Sequence, residues 1–153
     1  MARWRELEAE APELVALARR YLDLNKHKVL ATLRRDGSPR VSGTEVRFAD
    51  GELWLGSMPG ALKARDLQRD PRFALHGSPA DPEAGWDGDA KLSGRAEEIT
   101  DPEHRAAVLG PRFRESHLFR ADVLELSVVR VEGDHLVIDA WHAGRGVSRR
   151  ERR

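Results

Sequence analysis

Two short turns constrain the fold of this chain more than any other feature of its sequence. Asp36-Gly37 separates a β-rich run at 29–33 from a second run at 41–48, and Asp50-Gly51 separates that run from Leu53-Trp54-Leu55. Asp-Gly is typical of hairpin turns, and connections this short cannot make the crossover that parallel strands need. The first half of the chain therefore predicts an antiparallel meander.

The remaining elements follow from apolar spacing and from turn residues. Helical spacing with Pro12 in the first turn predicts a helix over about 12–24, and the turn-rich segment 78–88 predicts an irregular loop. Thr100 and Glu103 form a capping-box pattern at the start of another helix. Further strands are expected at 73–76, 90–98, 123–131 and 135–141, and short helices at 60–69, at about 102–109 and after Pro111.

Six or seven antiparallel strands with short flanking helices predict a mainly β (α+β) fold, in which the sheet curls into a barrel and removes its exposed edges. The length of 153 residues suits one domain. We expect its core at about 12–142, followed by a basic tail at 143–153 that contains five arginines. A solvated or disordered tail is the main interpretation, and a tail that tracks nucleic-acid phosphates is the alternative.

Composition argues against several classes of function. Without cysteine there is no disulfide or thiolate metal site, and the six histidines lack the spacing of a metal site. Equal numbers of basic and acidic residues, 26 of each, give no overall field toward nucleic acid or an anionic membrane. No apolar run reaches the roughly 20 residues that span a bilayer, so the expected location is the cytoplasm.

The segment 53–67 is the most informative about chemistry. Its pattern predicts a strand, a turn and the start of a helix. A helix N-terminus favours negative charge, yet Lys63 lies in the first helical turn. An anion such as a phosphate would explain this placement, with Ser57 donating its hydroxyl and Gly60 allowing close approach. The alternative is that Lys63 extends into solvent and Ser57 only stabilises the turn.

The same segment resembles a motif of the pyridoxamine 5'-phosphate oxidase-like family, Ser/Thr-x-x-Gly-Ser-Arg-Lys-x-x-x-Leu. The matching residues are Ser57, Gly60, Lys63 and Leu67. The opening hairpin and the Asp70-Pro71-Arg72 that follows the motif helix are also similar, so the resemblance covers about 12–142. It implies an FMN-binding split β-barrel that forms a homodimer and acts on a small-molecule substrate.

The resemblance also implies where a cofactor would bind. Ser57 and Lys63 would hold its phosphate, within a motif that also contains Met58, Gly60 and Leu62. Residues of the second hairpin strand would face the ring system: Ser42, Gly43, Thr44 and Glu45. Trp141 precedes a glycine as in a cleft-lining motif of the family, although it could equally cap the barrel.

Three positions depart from the family pattern. Leu62 stands where the family usually has arginine, Ala61 where serine is common, and Ser42 where the vitamin-pathway oxidases carry arginine. The main expectation is an FMN-dependent oxidoreductase. The sequence identifies no catalytic side chain. The alternatives are a reductase that uses the deazaflavin coenzyme F-420 and a non-catalytic module that binds a flavin or a tetrapyrrole.

Overall fold

The computed structural model describes residues 1–78 and 81–153 and shows a mainly β fold. Within these residues there are eight strands, four helices and two 3-10 turns, the latter at Pro82–Ala84 and Pro111–Phe113. The helices are α1 (Trp4–Glu10), α2 (Pro12–Leu22), α3 (Leu62–Arg69) and α4 (Pro102–Leu109). The strands are β1 (His27–Leu33), β2 (Pro39–Ala49), β3 (Glu52–Ser57), β4 (Arg72–Gly77), β5 (Gly88–Glu98), β6 (His117–Glu132), β7 (His135–His142) and β8 (Gly146–Arg152).

All the strand pairings are antiparallel, and six strands close into a barrel. The order is β3-β2-β1-β4-β5-β6, and β3 pairs with β6 to complete the ring. Strands β7 and β8 extend the sheet beyond β6, which is long enough to pair with β3 through 117–121 and with β7 through 125–132. The predicted fold class is therefore confirmed, with the two additional strands lying outside the closed ring.

Strand β2 changes partner along its length. Residues 39–45 pair with β1, whereas residues 46–49 pair with β3. The first part of β2 therefore has no strand partner on its β3 side among the residues that the structure describes. This opening between β2 and β3 creates a groove on the outside of the barrel.

Barrel curvature depends on a close approach between β5 and β6 at Gly94. The register shifts between Ser93 and Gly94, which marks a β-bulge. A Cβ atom at Gly94 would lie only 1.9 Å from the carbonyl oxygen of Asp122, so no larger residue fits there. Such bulges bend a strand and help a sheet to close.

One main core fills the barrel and extends beneath the N-terminal helices. The predicted helix α2 packs against β5, but α1 was not expected from the sequence. Helix α1 buries Trp4 and Leu7, and the ring of Trp4 lies 4.7 Å from that of Phe48. The backbone N–H of Arg3 donates to Glu6 at 2.7 Å, a local signal for this helix that apolar spacing alone does not reveal.

One local expectation needs correction. The helix α4 is capped by Asp101, whose carboxylate accepts from the N–H of His104 at 3.1 Å, and not by Thr100. Aspartate serves this position well because a carboxylate accepts strongly from the first-turn N–H groups. Most of the basic tail forms strand β8 after a turn at Gly144, although its side chains are largely exposed. In the loop predicted at 78–88, residues 79 and 80 lie outside the described residues.

A buried carboxylate attaches α3 to the sheet. Asp66 is 2% exposed and accepts from Thr32 Oγ1 at 2.8 Å, from Arg40 Nε at 2.7 Å and from Arg69 Nη2 at 2.9 Å. Burial acts to raise the pKa of Asp66, but the hydrogen bonds from Arg40, Thr32 and Arg69 outweigh it and the net pKa lies below the ordinary value. Three donors from β1, β2 and α3 therefore meet at one ionised group.

We predict that Asp66→Asn lowers the free energy of unfolding by about 3 kcal/mol, because it leaves two partly buried guanidinium groups without their counter-charge. Urea unfolding followed by circular dichroism at pH 7 measures the loss. Asp23→Asn is the matched control, since Asp23 pairs with Arg19 on the exposed surface of α2 and should change stability little. Equal losses in the two variants would contradict the proposed anchoring role.

The Asp66 contribution should also depend on pH in one direction. A carboxyl group whose pKa is lower in the folded state stabilises the fold above its unfolded pKa, which is about 3.9. That stabilisation is lost as the pH falls toward the folded pKa. The difference in free energy of unfolding between wild type and Asp66→Asn should therefore shrink below about pH 4. Urea unfolding at several pH values would measure it.

Candidate functional site

The groove beside β2 has a volume of about 480 Å³. Its floor is the partner-switching part of β2, residues 43–47, together with Trp54 and Gly56 of β3. Ser57, Met58 and Lys63 form one end, and Leu109, Phe113 and Ser116 form a side wall. This volume falls within the usual range of small-molecule sites.

The end of the groove is the strand-turn-helix that the sequence singles out. Gly60 has φ +74°, a left-handed conformation that glycine adopts without strain, and the turn leads into α3. Ala61 at the helix N-cap offers no side-chain hydrogen bond, and the first turn contains no acidic residue. The positive end of the helix dipole is thus uncompensated by a local side chain.

Lys63 adds a cation to this end of the groove. Its Nζ donates to the carbonyl oxygen of Gly43 at 2.9 Å, which joins α3 to the open edge of β2. Burial lowers the pKa of the Lys63 ammonium, with no opposing contribution from a carboxylate among the described residues. An anionic ligand would supply the missing counter-charge.

A hydrogen-bonded network lies behind the turn. The N–H of Gly60 donates to His117 Nε2 at 3.1 Å, and His117 Nδ1 lies 2.8 Å from Glu98 Oε1. Burial acts to raise the pKa of Glu98, but hydrogen bonds from His117 and Gln68 outweigh it, so the net pKa is lowered. The Glu98 side chain is only 17% exposed, whereas that of the adjacent Glu97 is 62% exposed.

An apolar wall faces the open strand edge. Trp54 is buried and fixed by a 3.1 Å hydrogen bond from its indole N–H to the carbonyl oxygen of Ala49. Met58 and Phe113 expose 78% and 39% of their surface at the groove. A flat apolar ligand could therefore gain contact with this wall while its polar edge meets β2.

Six of the ten predicted binding residues line the groove: Gly43, Thr44, Glu45, Ser57, Met58 and Lys63. Neighbouring residues of β2 lie on opposite faces of the sheet. Ser42 pairs with the buried Leu30, whereas Gly43 lies on the outer face. Gly60 is in the adjoining turn, and Leu62 is 59% exposed at the first position of α3.

Trp141, the last of the predicted binding residues, lies in the core and not at the groove. It is 1% exposed, belongs to the main core and does not line the groove. Its burial against the main core agrees with the alternative interpretation, in which Trp141 caps the barrel.

Eight further residues line the groove without having been predicted from the sequence: His27, Val46, Arg47, Trp54, Gly56, Leu109, Phe113 and Ser116. Arg47 donates to the carbonyl oxygen of Val108, a contact between residues 61 positions apart. The segment with Leu109 and Phe113 thus reaches the groove through tertiary contacts that apolar periodicity does not signal. Proximity of His27 to Glu45, at 3.4 Å between Nε2 and Oε1, follows only from the register of β1 and β2.

Two other kinds of site are absent from the described part of the chain. No group of three or more potential metal ligands comes together within residues 1–78 and 81–153. Over the same residues, no helix combines the length and apolar character needed to cross a membrane.

Solved structures share this fold at low sequence identity. PhzG from Burkholderia lata, in complex with tetrahydrophenazine-1-carboxylic acid, is 14% identical, with 97% of this chain and 89% of that chain covered and a TM-score of 0.62. Rv2991 from Mycobacterium tuberculosis, a conserved hypothetical protein, is 22% identical over 71% and 79% of the two chains, with a TM-score of 0.58.

A third structure comes from Clostridium acetobutylicum and is a protein related to general stress protein 26, of the pyridoxinephosphate oxidase family. It is 16% identical over 82% of this chain and 89% of that chain, with a TM-score of 0.57. At such identities these likenesses concern the fold alone. No curated protein sequence matches the chain significantly.

The family model described as pyridoxamine 5'-phosphate oxidase matches residues 16–134. That range includes the open edge of β2, the strand-turn-helix with Lys63 and the network around His117. The chain therefore belongs to the pyridoxamine 5'-phosphate oxidase family.

Proposed function

We propose that the protein binds FMN in the groove beside β2 and acts as a flavin-dependent oxidoreductase. The observation that carries the proposal is Lys63, a half-buried ammonium at the N-terminus of α3, where no side chain caps the helix. Among the described residues it has no carboxylate partner. A phosphate at this position would meet a positive helix end, a cation and the hydroxyl of Ser57.

The rest of the groove fits a planar ring attached to that phosphate. Nothing lies within 4 Å of the position that a Cβ atom would take at Gly43, so the backbone of β2 is open to a flat group. The unpaired edge of residues 39–45 presents N–H and C=O groups, which can pair with the polar edge of a heteroaromatic ring. Trp54, Leu109 and Phe113 provide the apolar side.

When bound, the flavin would supply the hydride chemistry. The residues of the chain would then have three tasks. Lys63, Ser57 and the α3 N-terminus bind the phosphate, the β2 edge orients the ring, and the apolar wall excludes water from one side. The groove requires no side-chain acid or base for these tasks.

Leu62 favours a second function, that of a flavin-binding module without turnover. Its exposed isobutyl group occupies the position where the family motif has arginine, so one guanidinium is missing from the phosphate site. The deazaflavin coenzyme F-420 stays an alternative cofactor, since its ring and phosphate could use the same features. The cytoplasmic location expected from the sequence likewise stays a prediction.

The proposed function is tested first by the visible absorption spectrum of the purified protein after loading with FMN and desalting. A retained two-banded flavin spectrum that bleaches with a reductant and returns with an electron acceptor supports the oxidoreductase. A retained spectrum without turnover would favour the binding module, and a retained single violet band after loading with F-420 would favour the deazaflavin. A protein that retains neither contradicts the proposal.

We also propose that the protein is a homodimer that pairs through the outer face of β1, β4, β5 and β6. This face contains an apolar groove of about 290 Å³ that includes Val29, Ala31 and Ala74. Ser127 also lines this groove; it is 4% exposed, and its Oγ has no hydrogen-bond partner among the described residues. A second copy would cover the apolar surface, and symmetric pairing is the commonest arrangement for such chains.

Replacement of Lys63 should separate phosphate binding from ring binding. We expect Lys63→Ala to weaken FMN binding about 10- to 150-fold, which corresponds to the loss of one charge-assisted hydrogen bond, while riboflavin affinity changes little. Lys63→Arg, which keeps the charge, is the matched control. Fluorescence titrations give both dissociation constants, and unchanged FMN affinity in Lys63→Ala would refute the site.

The departure at Leu62 allows a test in the opposite direction. Leu62→Arg should tighten FMN binding about tenfold, since it adds a guanidinium at the phosphate end of the groove without removing a buried side chain. The gain should decrease at high salt. Leu62→Gln adds polarity without charge and should give no gain, and a similar gain in both variants would argue against charge as its cause.

The dimer face can be tested by adding one charge. We expect wild type to have twice the chain mass of 17.2 kDa in light scattering and Ala74→Arg to shift it toward the monomer, because a guanidinium would be buried between the two copies. Ala107→Arg on the exposed side of α4 is the matched control. A monomeric wild type, or a dimeric Ala74→Arg protein, would contradict the assignment of this face.

A further inference from the structure

His117 occupies a central position behind the phosphate end of the groove. It is the first residue of β6 and is 17% exposed, with one ring nitrogen facing the Gly60 turn and the other facing Glu98. Its ring also stacks on that of Phe119 at a centroid distance of 6.3 Å. These contacts fix the orientation of the imidazole.

The partners of His117 define its tautomer. The backbone N–H of Gly60 can only donate, so Nε2 must accept and carries no proton. The proton of the neutral ring is then on Nδ1, where it can be donated to Glu98 Oε1 at 2.8 Å. Glu98 thus holds the ring in the form that can accept from the turn.

Glu98 connects this histidine to the helix that presents Lys63. Its carboxylate accepts from Gln68 Nε2 of α3 at 2.8 Å and from Arg105 Nη2 of α4 at 3.4 Å. The helix is therefore tied to β5 directly, whereas the turn before it is tied to β5 through His117. The separation between Ser57, Gly60 and Lys63 depends on both attachments.

We propose that His117 is a positioning residue that holds the Gly60 turn in the conformation that receives a phosphate. This inference rests on the proposed function. It assigns a role to a residue that does not line the groove and that the family motif at 57–67 does not contain. By occupying the N–H of Gly60, the imidazole fixes the turn while the helix N-terminus, Ser57 and Lys63 stay available to the ligand.

The test compares FMN with riboflavin, which has the same ring but no phosphate. His117→Ala should weaken FMN binding about tenfold and leave riboflavin binding unchanged, since one turn-fixing hydrogen bond is lost. His117→Gln, whose amide can accept from Gly60 and donate to Glu98, should recover most of the FMN affinity. His135→Ala, at the distant start of β7, is the matched control and should bind both ligands as wild type does.

The outcomes separate this inference from the proposed function. Equal weakening of both ligands by His117→Ala, or no recovery in His117→Gln, would overturn the positioning role while FMN binding by wild type is retained. Failure of wild type to bind FMN would overturn the proposed function and the inference with it. Nitrogen-15 NMR of the imidazole gives a ligand-free readout, in which the Nδ1–H tautomer is expected and the Nε2–H tautomer would refute the network.

Discussion

The attachment of α3 to the barrel through Asp66 is the interaction on which the groove depends. Asp66 lies three residues after Lys63, close to one helical turn, so any movement of this anchor moves the Lys63 ammonium relative to β2. Asp66 also accepts from two arginines, Arg40 and Arg69. Its single negative charge is therefore already paired with these two arginines, which leaves the Lys63 charge available at the groove.

The groove itself results from how this barrel closes. A closed barrel removes unpaired strand edges, and β6 achieves closure by pairing with both β5 and β3. Because β2 leaves β1 and joins β3 midway, however, one edge of residues 39–45 has no strand partner in the part of the chain that the structure describes. At this edge the carbonyl oxygen of Gly43 accepts from Lys63 Nζ at 2.9 Å. We propose that a ligand or a second chain pairs with the remaining backbone groups.

Local signals in the sequence predicted those elements whose cause is local. The Asp-Gly turns predicted the meander, Pro12 predicted the start of α2, and the misplaced Lys63 pointed to the end of the groove for which we propose anion binding. Long-range pairing accounts for what was missed: Phe113 and Leu109 approach the groove through tertiary contacts, and the His117–Glu98 pair joins residues 19 apart on paired strands. Helix α1 and strand β8 were not predicted because their apolar spacing is weak. Helix α1 buries only Trp4 and Leu7, and β8 exposes nearly all of its side chains although its partner β7 directly precedes it in the chain.

This chain differs from the family motif at Leu62, where the motif has an arginine, and the difference has a physical consequence for phosphate binding. A guanidinium can bind a phosphate through two parallel hydrogen bonds, whereas the Lys63 ammonium acts as a compact point charge. In the proposed site, affinity for a phosphate then depends more on the helix dipole and on the rigidity of the turn, because Leu62 supplies no second cation. With a phosphate bound as we propose, the network behind Gly60 should therefore matter more here than in a relative with both cations, and the apolar wall should contribute a larger share of the binding energy.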